Sequence, residues 1–179
     1  MKSLKYIAII ISFFFAISIT AQEEPPPHLY KQSKKLLNGT WQIIATNSDE
    51  LVKSDRDTVK LVFSDFKIKD GKMTFKESLI YYKNKKRVNQ KGINLQKTQI
   101  QLNFIWTGLG PFDIFNRKWR VIASDSEGQW MVVQFYKTKA KFKGIAVIVR
   151  KREMSDEQLK DIITYVAKSY LMPELTTLR

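Results

Sequence analysis

From residue 40 to residue 151 the sequence runs as short stretches rich in Val, Ile, Phe, Tyr and Trp, each bounded by turn-forming or charged residues, a pattern that predicts β-strands. Eight such stretches can be marked: A over 40–47, B over 58–69, C over 72–83, D over 88–95, E over 98–107, F over 118–124, G over 129–137 and H over 145–151. Segment E is the clearest. Its Ile100, Leu102, Phe104 and Trp106 alternate with Gln99, Gln101, Asn103 and Ile105, the period-two signature of a sheet with one enclosed face. Asp70-Gly71 supplies a tight hairpin between B and C, and D has the faintest pattern of the eight.

After H the period changes. Ser155-Asp156-Glu157-Gln158 reads as a capping box, and Leu159, Ile162, Ile163, Val166 and Tyr170 recur at helical spacing until Pro173 stops the element. Eight sequential strands with short links favour an all-β domain, an eight-stranded up-and-down antiparallel barrel with one C-terminal helix packed outside, because closure removes both sheet edges. A barrel of this strand number has room for one small ligand. A sandwich with a solid core is the competing architecture.

Two segments precede the strands. Lys2 and Lys5 lead into an apolar run over 6–17 followed by small residues up to Ala21, so 1–21 is expected to be a cleaved signal peptide; the run is shorter than a membrane span needs. Residues 22–36 open with EEPPP and are expected to form a proline-containing arm, leaving 37–179 as the barrel domain. The chain has no cysteine, hence no disulfide, no thiolate and no site for lipidation; the expected destination is the periplasm or the medium, unlipidated. Removing 1–21 takes away two lysines and no acid, so the formal charge falls from +14 to +12.

Strand order alone sorts the loops. In an up-and-down barrel the links AB, CD, EF and GH share one end and BC, DE and FG the other. The first set is long, as at a mouth; the second is tight, as at a base. The base also receives Gly39, Trp41, the FG turn with Asp125, and the end of H with Arg150. An arginine laid over the indole and donating to nearby carbonyls would seal it.

These residues resemble the lipocalin family along the chain from residue 37 to the end of the helix. Gly39-Thr40-Trp41 resembles the family's first conserved block, the 125–130 turn with Asp125 and Trp130 its second, and Arg150 shortly before the helix its third. GPF at 110–112 followed by KWRVIASD is similar to bacterial outer-membrane and apolipoprotein-D-like members. The chain departs from them in having Gln42 after the tryptophan, Gly128 in the second block and no lipidated cysteine. The resemblance implies binding or transport of small hydrophobic molecules.

If Trp41 points inward, strand phase puts Ala45 on the same wall. The same reasoning assigns Leu102, Phe104 and Trp106 from E, Val121 from F, Trp130, Gln134 and Tyr136 from G, and Phe63, Phe75 and Leu79 from B and C to a cavity suited to an acyl chain or flat ring. Lys85 and Lys86 in CD and Lys139 and Lys141 in GH would ring the mouth and receive an anionic head group. Leu109, Phe112, Ile114 and Phe115 of EF would gate it or touch an anionic membrane. The only histidine, His28, lies in the arm, so no His-based triad and no His/Cys metal cluster can be built in the barrel. Glu77 remains a candidate inward acid. The expectation is thus a monomeric, non-enzymatic carrier of a hydrophobic ligand or lipid such as a fatty acid or lysophospholipid, with no cofactor and no nucleic-acid partner. A solid barrel with a basic, polyanion-binding surface is the rival reading, and an enzyme acting on a lipid-like substrate a more distant one.

Overall fold

The computed structural model describes residues 27–52, 56–83, 85–98, 101–112, 116–136, 144–150, 155–170 and 175–177. The expected signal peptide and the mouth residues Lys139, Lys141, Ile114 and Phe115 lie outside them. Strands β1 (Gly39–Thr46), β2 (Arg56–Lys69), β3 (Lys72–Lys83), β4 (Lys86–Gln96), β5 (Asn103–Gly108), β6 (Asn116–Ser124), β7 (Trp130–Tyr136) and β8 (Gly144–Val149) follow one another. Each pairs antiparallel with the next, and β1 pairs with both β2 and β8, which closes the barrel. A two-residue strand, β9 (Thr176–Thr177), adds to the upper part of β1.

Among the described residues the strands are accompanied by three α-helices: α1 (Pro27–Leu37), the single turn α2 (Asp49–Val52) and α3 (Asp156–Tyr170). The first corrects the expected arm. Proline is disfavoured inside a helix but suits its first turn, where its missing N–H is not needed, so Pro27 opens α1 rather than preventing it. In α3 the capping box forms in both directions: Gln158 N donates to Ser155 Oγ at 3.2 Å and Ser155 N to Gln158 Oε1 at 3.0 Å.

The barrel wall separates two apolar clusters. One fills the inside and contains Trp41, Ile43, Leu61, Phe63, Phe75, Leu79, Phe104, Trp119, Met131, Val133 and Phe135. The other lies outside, under α3, where Ile162, Val166 and their neighbours meet Ala45, Val132, Ile145 and Val147, with Ile44, Ala123 and Trp130 packed against them. Strands β7 and β8 are therefore apolar on both faces.

Candidate functional site

The base is built first by the end of α1. The last carbonyls of a helix have no partner within it, and here they are met by two side chains. Trp41 Nε1 donates to Leu37 O at 2.7 Å. Arg150 donates through Nη2 to Lys35 O and Leu36 O at 2.9 and 2.6 Å, through Nη1 to Asn38 O at 2.6 Å, and through Nε to Gly128 O at 2.6 Å. Its guanidinium carbon stands 4.2 Å from the centre of the Trp41 ring system. Burial pushes the Arg150 pKa down and Asp125 draws it back up. Asp125 Oδ1 accepts from the backbone N–H groups of Gln129 and Trp130 at 2.7 and 2.9 Å, fixing the β6–β7 turn. Gly39, at φ 121°, leaves the room this needs: a Cβ there would come within 2.7 Å of Arg150 Nη1.

Above this seal the lower lumen is occupied by stacked rings. Phe63 lies parallel to Trp119 with centroids 5.5 Å apart, Phe104 is 4.7 Å from Trp119, and Phe75 meets Phe63 and Phe104 edge-on at 5.4 and 5.1 Å. Phe63, Phe75 and Phe104, expected to line an open cavity, are 0–2% exposed and form this floor, and Leu79, 2% exposed, belongs to the same inner cluster opposite Gln90. Leu102 and Val121 are half-buried against the same cluster.

Four others do not face the lumen. Ala45 turns to the outer cluster because the β1–β8 register shifts between Ile43 and Ala45, and a bulge exchanges the faces of a strand. Trp130, Gln134 and Tyr136 share the outer face of β7. Trp130 packs toward α3, Gln134 accepts from Arg120 Nε at 2.8 Å, and the Tyr136 hydroxyl donates to Asn103 Oδ1. On a strand apolar on both sides, alternation carries no information about which face is inside, and Met131, Val133 and Phe135 take the interior.

The upper lumen is polar on one side. On β4 the residues pointing inward are, from mouth to base, Val88, Gln90, Gly92, Asn94 and Gln96, the last bonded to Met73 N and Gln101 O at the base end, while Ile93 and Leu95 are 41% and 45% exposed outside, the reverse of ordinary strand amphipathicity. Asn94 lies at the centre of a chain of bonds: its Nδ2 donates to Glu77 Oε2 at 2.9 Å, and its Oδ1 accepts from Trp119 Nε1 at 2.7 Å. Glu77, 2% exposed, forms an ion pair with Arg117, 7% exposed. Their strands, β3 and β6, are separated by β4 and β5, so the pair crosses the lumen. The Arg117 guanidinium carbon stands 4.5 Å from the Trp106 ring centre and 5.8 Å from that of Phe135. Burial pushes Arg117 down to about 9, whereas the Glu77 contact and the two rings favour its charged form.

Sequence reasoning raised Glu77 only as an isolated acid and missed Arg117, Asn94 and Gln90. The available signal was the polar alternation on β4. At the rim, Lys85 and Lys86 are exposed at the β3–β4 turn. The 3-10 turn Gly110–Phe112 folds over the end of β5, with Phe112 packed on the inner cluster and its carbonyl against Gly108. Among the described residues no group of three His, Cys, Asp or Glu side chains is arranged to hold a metal.

No family model and no curated protein matches the sequence. Several solved structures match the fold. A siderocalin, Ex-FABP, described as functioning through dual ligand specificities, superposes with a TM-score of 0.55 at 14% identity over 80% of this chain and 89% of its own. The tryptamine complex of the amine-binding protein of Rhodnius prolixus gives 0.55 at 17% identity over 81% and 76%, and the cockroach allergen Per a 4 gives 0.55 at 12% over 80% and 85%. At these identities the likeness concerns the fold, and the fold is a lipocalin-type barrel: eight antiparallel strands closed on themselves with a helix on the outside.

Proposed function

We propose that the protein is an exported, monomeric, non-enzymatic carrier that holds a small hydrophobic or amphipathic molecule in the upper half of its barrel. The observation that carries this reading is the inward face of β4. A barrel filled only for stability would present aliphatic residues there, but Gln90 and Asn94 point in while Ile93 and Leu95 are left in water. Gln90 and Asn94 are held by Tyr81, Glu77 and Trp119, and such a network, which an aliphatic wall would not need, supports a polar lining kept for a ligand.

The ring floor restricts the ligand to the space above it. Its apolar part would contact Tyr81, Val88, Phe112 and Phe135, each square ångström removed from water contributing roughly 25 cal/mol before the costs of binding. An anionic head, in a fatty acid or lysophospholipid for example, would remain at the rim beside Lys85, Lys86, Lys139 and Lys141. The basic surface would bring the carrier to anionic membrane transiently, without a role for nucleic acid. Solved barrels of the same shape include one in complex with tryptamine, which supports small-molecule carriage as the general reading.

One measurement tests both export and carriage. Native mass spectrometry of the protein recovered under mild conditions from periplasm or medium should give a chain beginning at Gln22 with a small-molecule adduct that organic extraction removes. Repeated recovery of the bare chain would refute carriage, and recovery of a chain still starting at Met1 would refute export.

A further inference from the structure

In the upper lumen two buried donors have nothing to donate to. Trp106 Nε1 and Arg117 Nε are fully enclosed and lack a hydrogen-bond partner, although Trp106 is 3% and Arg117 7% exposed. They belong to side chains in direct contact, and the two residues face each other across the β5–β6 ladder. The neighbouring polar groups do not meet them: Glu77 Oε2 accepts from Asn94, Glu77 Oε1 faces Arg117 Nη2 in the ion pair without hydrogen-bonding Arg117 Nε or Trp106 Nε1, and the Asn94 carbonyl oxygen is taken by Trp119. Unmet buried donors are rare in folded proteins and call for an acceptor from elsewhere. Gly92 adds to the case. A Cβ at that position would fall 2.3 Å from Trp106 Nε1 and Cε2, so the absence of a side chain there lets the indole lie against β4.

The charge around these donors selects the acceptor. Arg117 is already neutralised by Glu77, which touches it, so a carboxylate or phosphate approaching Arg117 Nε would meet repulsion from Glu77 at nearly the same range as attraction from the guanidinium. It would also lose its hydration without full repayment. An uncharged acceptor incurs neither cost. We infer that Trp106 Nε1 and Arg117 Nε form a buried subsite for a neutral carbonyl or ester oxygen of the ligand, with Glu77 excluding anions from it. This rests on the carrier reading above and deepens it: a charged head stays at the lysine rim, and the uncharged acceptor lies below.

The experiment compares three probes of equal chain length, methyl decanoate, decanoate and decylamine, at a salt concentration high enough to screen the exposed rim lysines. Binding is followed by calorimetry and by the indole N–H proton resonances of the four tryptophans, that of Trp106 being identified as the one lost in W106F. Methyl decanoate should bind about tenfold or more tighter than the other two and move the Trp106 indole proton downfield, leaving those of Trp41 and Trp119, already bonded, in place. In E77Q, which keeps the shape of the site and removes the repelling charge, decanoate should gain about tenfold relative to the ester.

Equal or tighter binding of decanoate by the native protein, or ester binding that leaves the Trp106 resonance unmoved, would overturn the subsite while carriage stands. If none of the three binds and no adduct is found on the native protein, the carrier reading and the subsite fall together. The native comparison needs no variant, so it stands whether or not E77Q folds.

Discussion

Replacing Arg150 tests how the base of the barrel is held. Its side chain makes four hydrogen bonds to carbonyl oxygens and covers the Trp41 ring system at 4.2 Å. A bond to a charged donor contributes about 1.5–3 kcal/mol when buried. Three of the four acceptors here belong to the end of α1 and the residue after it, where water can replace the lost donors, so the sum must be discounted heavily. Adding about 0.5–1 kcal/mol for the cation–π contact, Arg150→Met should cost about 2–4 kcal/mol. Arg150→Lys keeps the charge but cannot reach four carbonyls from one ammonium, and should cost roughly half as much. For a domain of this size each kcal/mol lowers the melting temperature by about 2–4 °C, so R150M should melt roughly 5–12 °C below the native protein. Urea unfolding with a shared m-value gives the free energy directly. A double-mutant cycle with Trp41→Phe should show the two changes costing less together than separately, since each weakens the same latch. The reasoning fails if R150M lies within about 0.5 kcal/mol of native, the range of an ordinary surface change.

Two further outcomes follow from the geometry. Gly92→Ala forces a methyl group into the Trp106 indole and the Thr107 carbonyl; overpacking of about 1–3 kcal/mol should outweigh the entropic gain of about 0.4–1 kcal/mol from removing a glycine, and a shift in tryptophan emission should accompany the loss seen by urea titration. Lys76, through its hydrogen bond and charge at 2.7 Å, holds the exposed Asp65 carboxyl below the usual carboxylate range. Its folded pKa is depressed, so the stabilisation is present above the ordinary carboxylate range and is lost as pH falls through the lower folded value. Asp65→Asn should remove that small stabilisation at neutral pH, flatten that part of the acid-unfolding curve, and change little once pH lies below the folded carboxyl value, where the native side chain is protonated as well.

The barrel itself was legible because most strands alternate and their links follow one order. The sealed end was legible as well, since strand parity alone brings Gly39, Trp41, Asp125 and Arg150 together. Side-chain phase was not legible where the pattern lost its contrast. On β7 the helix α3 covers the outer face, so Trp130 and Val132 are as apolar as Met131 and Val133, and a one-residue shift costs nothing in the pattern. At Ala45 a bulge changed the face, and a bulge leaves no mark in composition. The polar lumen wall was harder still. Strand β4 gave the faintest signal for the same reason that it matters: its apolar residues, Ile93 and Leu95, face water, and its amides face in. Arg117, as the second residue of its strand beside a long loop, reads in sequence as one more rim cation and only in space reaches across to Glu77.

The latch at the base also dictates when the fold can finish. Arg150 holds the carbonyl of Asn38 from 112 positions further along the chain, and Gln42 on β1 pairs with Val149 on β8. The first strand to be synthesised therefore waits for the last. Contacts of such long range are slow to form because a large loop must close before any of them is made. A nascent chain cut off before Arg150 has neither a closed barrel nor a sealed end, so this domain cannot lock strand by strand as it emerges and stays open until β8 and the arginine after it are available.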